Sequence, residues 1–267
     1  MEDNMNTDIP SPPLLYGKYI LIHEGNRDAP IQSSIVCDGK DFYIIKKLNN
    51  DYVITIDLKN RIHDAIEEWK TMSIHPHVVG LKESGETEGS PYLIIEYVSN
   101  GIYPWHSLEA CFRTRGASPS RILYWLIQIA HVLQNSYRSN DDITPVITPG
   151  NILIGADGRA LLTNCGGIHL AGILGILTFI PATHLAPEQH NNQTYADLRT
   201  CVYHFGITLY QALRNGQVPF TAELPQGKSR DALIEYHRAL LTKKTNWNYH
   251  AYLREPSLKN FHSILQD

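Results

Sequence analysis

Apolar and polar positions change their period along this chain, and the changes mark out its elements. From Tyr16 to Leu48 apolar, β-branched and aromatic residues come in short runs, Tyr19-Ile-Leu-Ile22, Ser34-Ile-Val36 and Phe42-Tyr-Ile-Ile45. Turn signals at Gly25-Asn26 and Asp38-Gly39 separate them, which predicts three antiparallel strands. Between Asp57 and Ser73 the spacing shifts to three and four: Ile62, Ala65, Ile66, Trp69 and Met72 share one face, as in an amphipathic helix. Tyr92-Leu-Ile-Ile-Glu-Tyr-Val98 reads as a strand again. Ser118-Pro-Ser120 then supplies N-cap chemistry for a long helix to Tyr137 with Ile122, Leu126, Ile129, Ala130 and Leu133 on its apolar face. Further on, Val146-Ile-Thr-Pro-Gly-Asn-Ile-Leu-Ile154 and Ala160-Leu-Leu-Thr163 flank Asp157-Gly158, a strong hairpin signal. Such a hairpin sets residues 146–151 beside residues 164–166. Residues 1–15, polar and carrying Pro10, Pro12 and Pro13, read as a disordered lead-in.

Composition narrows the class. The 267 residues carry a formal charge of −4, with 19% charged and 43% hydrophobic positions, an ordinary globular balance. Basic residues are scattered and slightly outnumbered, which argues against nucleic acid as a partner. Cys37, Cys111, Cys165 and Cys201 lie far apart with no C-x-x-C pair, so neither a disulfide framework nor a zinc site is expected. No basic region followed by an apolar run opens the chain, and a cytoplasmic protein without a membrane partner is expected. The longest uncharged stretch, Ile168 to Thr183, is interrupted by Gly172, Gly175 and Pro181 and is shorter than the roughly 20 residues of a spanning helix. His75 and His77 could be taken as a metal pair, but Pro76 between them fits a structural turn better.

Several of these segments resemble the protein kinases. Pro149-Gly-Asn-Ile-Leu-Ile154 is similar to the end of the catalytic loop H-R-D-L-K-P-x-N-I-L, and Asn164-Cys-Gly166 stands where D-F-G occurs. Ile74-His-Pro-His-Val-Val79 resembles H-P-N-I-V, Leu185-Ala-Pro-Glu188 resembles A-P-E, and Tyr203 to Leu213 resembles Y-S-F-G-I-T-L-Y-E-L-L. Gly216 to Phe220 is similar to G-x-x-P-F, and Glu255 to Leu265 to D-P-x-x-R-P-S-x-x-x-I-L. The phrasing around residues 75–79 and 91–98 is closer to serine/threonine than to tyrosine kinases. The resemblance implies an α+β, bilobal fold, with a β-rich N-lobe over residues 16–98 and a mainly helical C-lobe over 99–267. It also implies roles. Lys46 stands at the lysine that pairs nucleotide phosphates, and Glu67 at its partner on the first helix, with Glu68 one residue away. Ile95 stands at the gatekeeper, Glu96 to Val98 at the hinge backbone, and Asn151 and Asn164 at metal-ligand positions. Lys259 stands at the arginine that pairs with the A-P-E glutamate, here Glu188.

The catalytic positions depart from this pattern. Thr144, Pro145, Val146 and Thr148 stand for the loop's His, Arg, Asp and Lys, Cys165 for the Phe of D-F-G, and Cys201 for the aspartate before Gly206. Gly25-Asn-Arg-Asp-Ala-Pro30 keeps one glycine of the loop that covers the phosphates, and Ile44 projects toward the adenine slot in place of a small residue. Val146 can neither accept a proton nor hydrogen-bond through its side chain, a loss of about 10²–10⁴-fold in general-base catalysis. Two asparagine oxygens bring no charge to Mg²⁺, which favours at least one carboxylate. The expectation is therefore a pseudokinase, not an enzyme, acting as a protein-binding scaffold or allosteric regulator, with no cofactor: ATP binding is expected to be weak or absent, and Mg²⁺ is not expected to bind. Ile176 and Phe179, in the apolar activation-segment stretch, are the expected partner surface. Two alternatives stay open: an atypical ATP-dependent kinase or other phosphoryl or nucleotidyl transferase with relocated acids, for which Asp141 and Asp142 are candidates, and a metal-independent ATP sensor.

Overall fold

A computed structural model describes residues 14–15, 17–28, 31–49, 56–87, 89–101, 106–114, 116–139, 144–165, 180–190 and 197–219, together with Ala232 and Glu235. Six strands, β1 (Leu14–Leu15), β2 (Tyr19–Glu24), β3 (Ile31–Cys37), β4 (Phe42–Leu48), β5 (Leu81–Thr87) and β6 (Ser90–Glu96), form one antiparallel sheet in the order β1-β2-β3-β4-β6-β5. The three expected strands and the later Tyr92 run are all present. The lead-in boundary needs correction: Leu14 and Leu15 pair with Ile20 and Tyr19, so the fold reaches back into the segment expected to be disordered. A two-residue strand carries no alternation for a sequence to display.

Register decides which side chains of β4 face which lobe. Ile44 lies opposite Ile35 and Ile95, and Lys46 opposite Leu93. Because neighbours on a strand alternate in direction, Tyr43 and Ile45 fall on the other face. There they pack with Tyr19, Val36 and Ile94 in a small core of their own. Ile44 instead joins the main core, which the N-terminal sheet shares with the C-terminal lobe.

Helix α1 (Ile56–Met72) buries the expected face, Ile62, Ala65, Ile66, Trp69 and Met72. The turn after it ties the lobes together: Leu162 N–H donates to His77 O at 2.8 Å and Val79 N–H to Leu162 O at 2.9 Å. His77 Nδ1 lies 3.1 Å from Ala160 O and Arg159 Nη1 donates to Pro76 O at 3.0 Å. His77 thus serves a turn, as its proline neighbour suggests.

The C-terminal lobe consists, among the described residues, of α2 (Leu108–Thr114), α3 (Pro119–Ser139), the hairpin β7 (Ile152–Ile154) with β8 (Ala160–Leu162), and α4 (Leu198–Leu213). Trp125, fully buried on α3, donates its indole N–H to Gly158 O at 2.9 Å and Gln128 Oε1 accepts Ala160 N–H at 2.8 Å, which fixes the hairpin on the helix. Asp197 caps α4 in a reciprocal box with Thr200. The molecule is α+β, a β-sheet lobe followed by a helical one. No helix among the described residues is long and apolar enough to cross a membrane.

Candidate active site between the lobes

The candidate site lies where the inner face of the sheet meets the loop that enters β7. Lys46 reaches down from β4 and donates its ammonium to Asn164 Oδ1, just beyond β8. Its Nζ also stands 5.7 Å from the centre of the Trp69 ring, within cation–π range. Asn164 Nδ2 in turn donates to Asn151 Oδ1 at 2.8 Å, and Asn151 Nδ2 to Val146 O at 3.2 Å. A polar chain therefore runs from lysine through two amides to the loop backbone. Burial pushes the Lys46 ammonium down to about 8, against the weaker effect of Cys165.

Asn164 adopts a φ of 57°. That left-handed conformation is costly for most residues with a Cβ and best tolerated, glycine aside, by Asn and Asp. The sharp bend it makes turns the side chain back to the loop. Asn151 closes a 3₁₀ turn (Pro149–Asn151) whose N-cap, Thr148, makes no side-chain cap bond. Both are buried, as is Val146, whose exposure is 0%.

Asn151 and Val146 lie beside Asn164, as the hairpin leads one to expect, and Lys46 of β4 joins them. The sequence places the first-helix glutamate one position off. Glu67 is half exposed and pairs with Lys70 at 2.5 Å on the outer side of α1. Glu68 turns inward, and its Oε1 accepts Thr144 N–H at 2.5 Å. Burial raises its carboxyl to about 7, against the lowering effect of that bond. The signal was legible: Glu68 lies three residues from buried Ala65 and four from buried Met72, whereas Glu67 lies three from exposed Lys70. The ammonium of Lys46 is engaged with Asn164, which sequence reasoning missed.

Above the polar chain, Ile44 and Val98 pack against a core that contains Ile95, and Leu153 on the hairpin packs against the same core from below. Glu96 is tied down at the sheet edge, its N–H on Gly80 O at 3.0 Å and its carboxylate on Gly80 N–H at 3.3 Å. Glu188 accepts Thr200 Oγ1–H at 2.6 Å. Lys259, Asp141, Asp142, Ile176 and Phe179 lie outside the described residues.

The donor set does not fit Mg²⁺. Both amide oxygens at the metal-ligand positions already accept hydrogen bonds. Among the described residues no group of three His, Cys, Asp or Glu could hold a metal ion. An anion fits better, because the half-buried Lys46 ammonium stands against an amide and an indole.

No family model matches the chain. Among curated proteins, a probable serine/threonine-protein kinase of Clostridium perfringens is 26% identical over 194 residues, 69% of this chain and 26% of that protein. A probable serine/threonine-protein kinase of Bifidobacterium longum is 26% identical over 196 residues, 69% of this chain and 24% of that protein. A serine/threonine-protein kinase of Saccharomyces cerevisiae is 27% identical over 194 residues, 70% of this chain and 22% of that protein. The chain spans about a quarter of the length of these relatives. All three are named as kinases, which overturns the expectation of a pseudokinase without enzymatic activity. Substitutions at a few loop positions had been weighed as loss of function, although phosphoryl transfer depends on positioning and charge more than on any one base. Fold, order of motifs and relatives agree in supporting membership of the protein kinase superfamily.

Proposed function

We propose that this chain is an atypical serine/threonine-type protein kinase domain that takes ATP as its phosphoryl donor. One observation carries the reading: the half-buried Lys46 donates its ammonium to a neutral amide oxygen. A partly desolvated cation that faces no carboxylate at hydrogen-bond distance among the described residues gains from an anion. A nucleotide phosphate would take Lys46 from Asn164, and the apolar walls at Ile44, Ile95, Val98 and Leu153 suit a purine. Lys46 would then hold phosphate charge that grows toward transfer. Val146 offers no base, so the hydroxyl of the acceptor would attack without assistance, about 10²–10⁴-fold more slowly than with it. No step is assigned to a metal ion.

The test is transfer of labelled γ-phosphate from ATP to a library of serine- and threonine-containing peptides. Slow transfer that disappears in Lys46→Met is expected. ATP binding with no transfer above background would contradict the reading.

A second reading, a protein-binding regulatory role, is favoured by the buried valine at the base position. It predicts that Ile176→Asp with Phe179→Asp abolishes capture of a protein partner at an unchanged melting temperature.

A further inference from the structure

Glu68 crosses from the first helix into the other lobe. Its carboxylate accepts the backbone N–H of Thr144, which opens the loop running through Val146 and Thr148 to Asn151. That loop is buried except at Gly150. Its far end is held from within the C-terminal lobe: Thr208 Oγ1 donates to Ile147 O at 3.2 Å, Asn151 Nδ2 to Val146 O at 3.2 Å, and Asn151 N–H to Thr148 O at 3.0 Å. Its near end has few polar handles. Pro145 has no N–H to give, and Thr144 Oγ1 has no hydrogen-bond partner among the described residues.

A second observation points the same way. Cys201 on α4 is buried where the resemblance calls for an aspartate. Burial pushes its thiol up, and the Glu68 charge adds to the effect, as it does at Cys165. The Glu68 carboxylate of α1 thus acts on this part of the lobe, alongside Asp197 at the start of α4.

We propose that Glu68 is a positioning residue that fastens the Thr144 end of the loop to α1. The proposal rests on the kinase reading above for its consequence, not for its geometry. Movement of α1 then moves Val146 to Asn151, and through Asn151 it reaches Asn164 and Lys46. Glu68 reaches the loop through the Thr144 N–H. Among the described residues, the titratable groups it acts on include Cys165 beyond β8 and Cys201 on α4, with Lys46 of β4 also acting on Cys165. Burial raises the Glu68 carboxyl to about 7, so the ionised acceptor is at full strength above neutrality.

The experiment is amide hydrogen exchange at Thr144, resolved by NMR in the full chain without nucleotide, from pH 6 to 8.5 and corrected for intrinsic exchange. Wild type, Glu68→Gln, Glu68→Ala and the exposed neighbour Glu67→Gln are compared. Losing a bond to a charged acceptor should speed exchange about tenfold or more in Glu68→Ala. Glu68→Gln should exchange faster than wild type and lose the gain in protection that wild type shows above pH 7. Glu67→Gln should match wild type. Should Glu68→Ala fail to fold, the glutamine variant and the wild-type pH series decide alone. Unchanged exchange in Glu68→Gln, together with no pH step in wild type, would overturn the proposal. Because exchange is read without nucleotide, phosphoryl transfer with unchanged exchange would remove the role of Glu68 only. Altered exchange without transfer would leave that role and remove the kinase reading.

Discussion

The two lobes meet along two lines of contact built from different materials. At the back, the turn after α1 joins the hairpin largely through main chain: Leu162 N–H to His77 O, Val79 N–H to Leu162 O and the bridge between Val78 and Leu162. At the front, the join is made by side chains, Lys46 on Asn164, Asn164 on Asn151, and Glu68 on Thr144 N–H. Backbone bonds within a packed core have no alternative partner and stay put. Side-chain bonds to a lysine or a carboxylate can be traded for bonds to a ligand, at the cost of a rotamer change. The back therefore holds the lobes, and the front is where chemistry is free to intervene.

Breaking the back should have the larger effect. Trp69 is buried and donates its indole N–H to Val79 O at 2.9 Å, so Trp69→Ala should cost about 3–5 kcal/mol in urea unfolding. Leu162, fully buried on the hairpin, should lose about 2–5 kcal/mol as alanine. If either variant unfolds at the wild-type midpoint, the back does not hold the lobes.

The front should respond in the opposite direction. Lys46 has a folded value below its unfolded one, about 8 against 10.5, so the folded state binds fewer protons within that window. Stability then rises with pH from about 8 upward. Glu68 has a raised value, about 7 against 4.5, so the folded state binds more protons there and stability falls as pH climbs through that window. The two slopes leave a minimum between about pH 7 and 8, where both buried groups are charged. Lys46→Met should remove the upper slope and raise stability near neutrality by about 1–3 kcal/mol, as replacement of a buried charge by an apolar side chain often does. Glu68→Gln should remove the lower slope. Stability monitored by denaturant unfolding from pH 5 to 10 checks both, and a flat wild-type profile would show that neither group is desolvated as the geometry requires.

The smallest effect belongs to the rim of the back. Arg159 lies in a salt bridge with Asp157 and donates to Pro76 O at 3.0 Å. Arg159→Ala should cost about 0.5–1.5 kcal/mol, the net worth of one such bond.

Much of this frame was legible in the sequence because it rests on local signals. Asp157-Gly158 marks the hairpin, and the spacing of Ile62, Ala65, Ile66, Trp69 and Met72 marks α1 and its buried face. Two kinds of feature were not. Leu14–Leu15 is too short to show a period and exists only through pairing with β2. Strand β5, with Lys82, Glu83, Ser84 and Gly85 in its run, is polar enough to hide between turns and is held by its partner β6. Helix α2 is equally brief. At the site, the residue types were visible but not their pairing. A step of one residue on a helix turns a side chain by about 100°, which separates Glu68, facing Thr144, from Glu67, facing Lys70. That Lys46 would bond to Asn164 followed from no local pattern, since β4 and the hairpin meet only in the folded chain.

The central claim is that the front contacts give way to a nucleotide phosphate held by Lys46. A thermal-shift titration with ATP, run on wild type and on Lys46→Ala, tests it most directly. A ligand that binds only the native state adds about 2.7 kcal/mol at a hundred times its dissociation constant. The account predicts a saturable upward shift in wild type that Lys46→Ala abolishes. No shift in wild type, or an equal shift in both proteins, would contradict it.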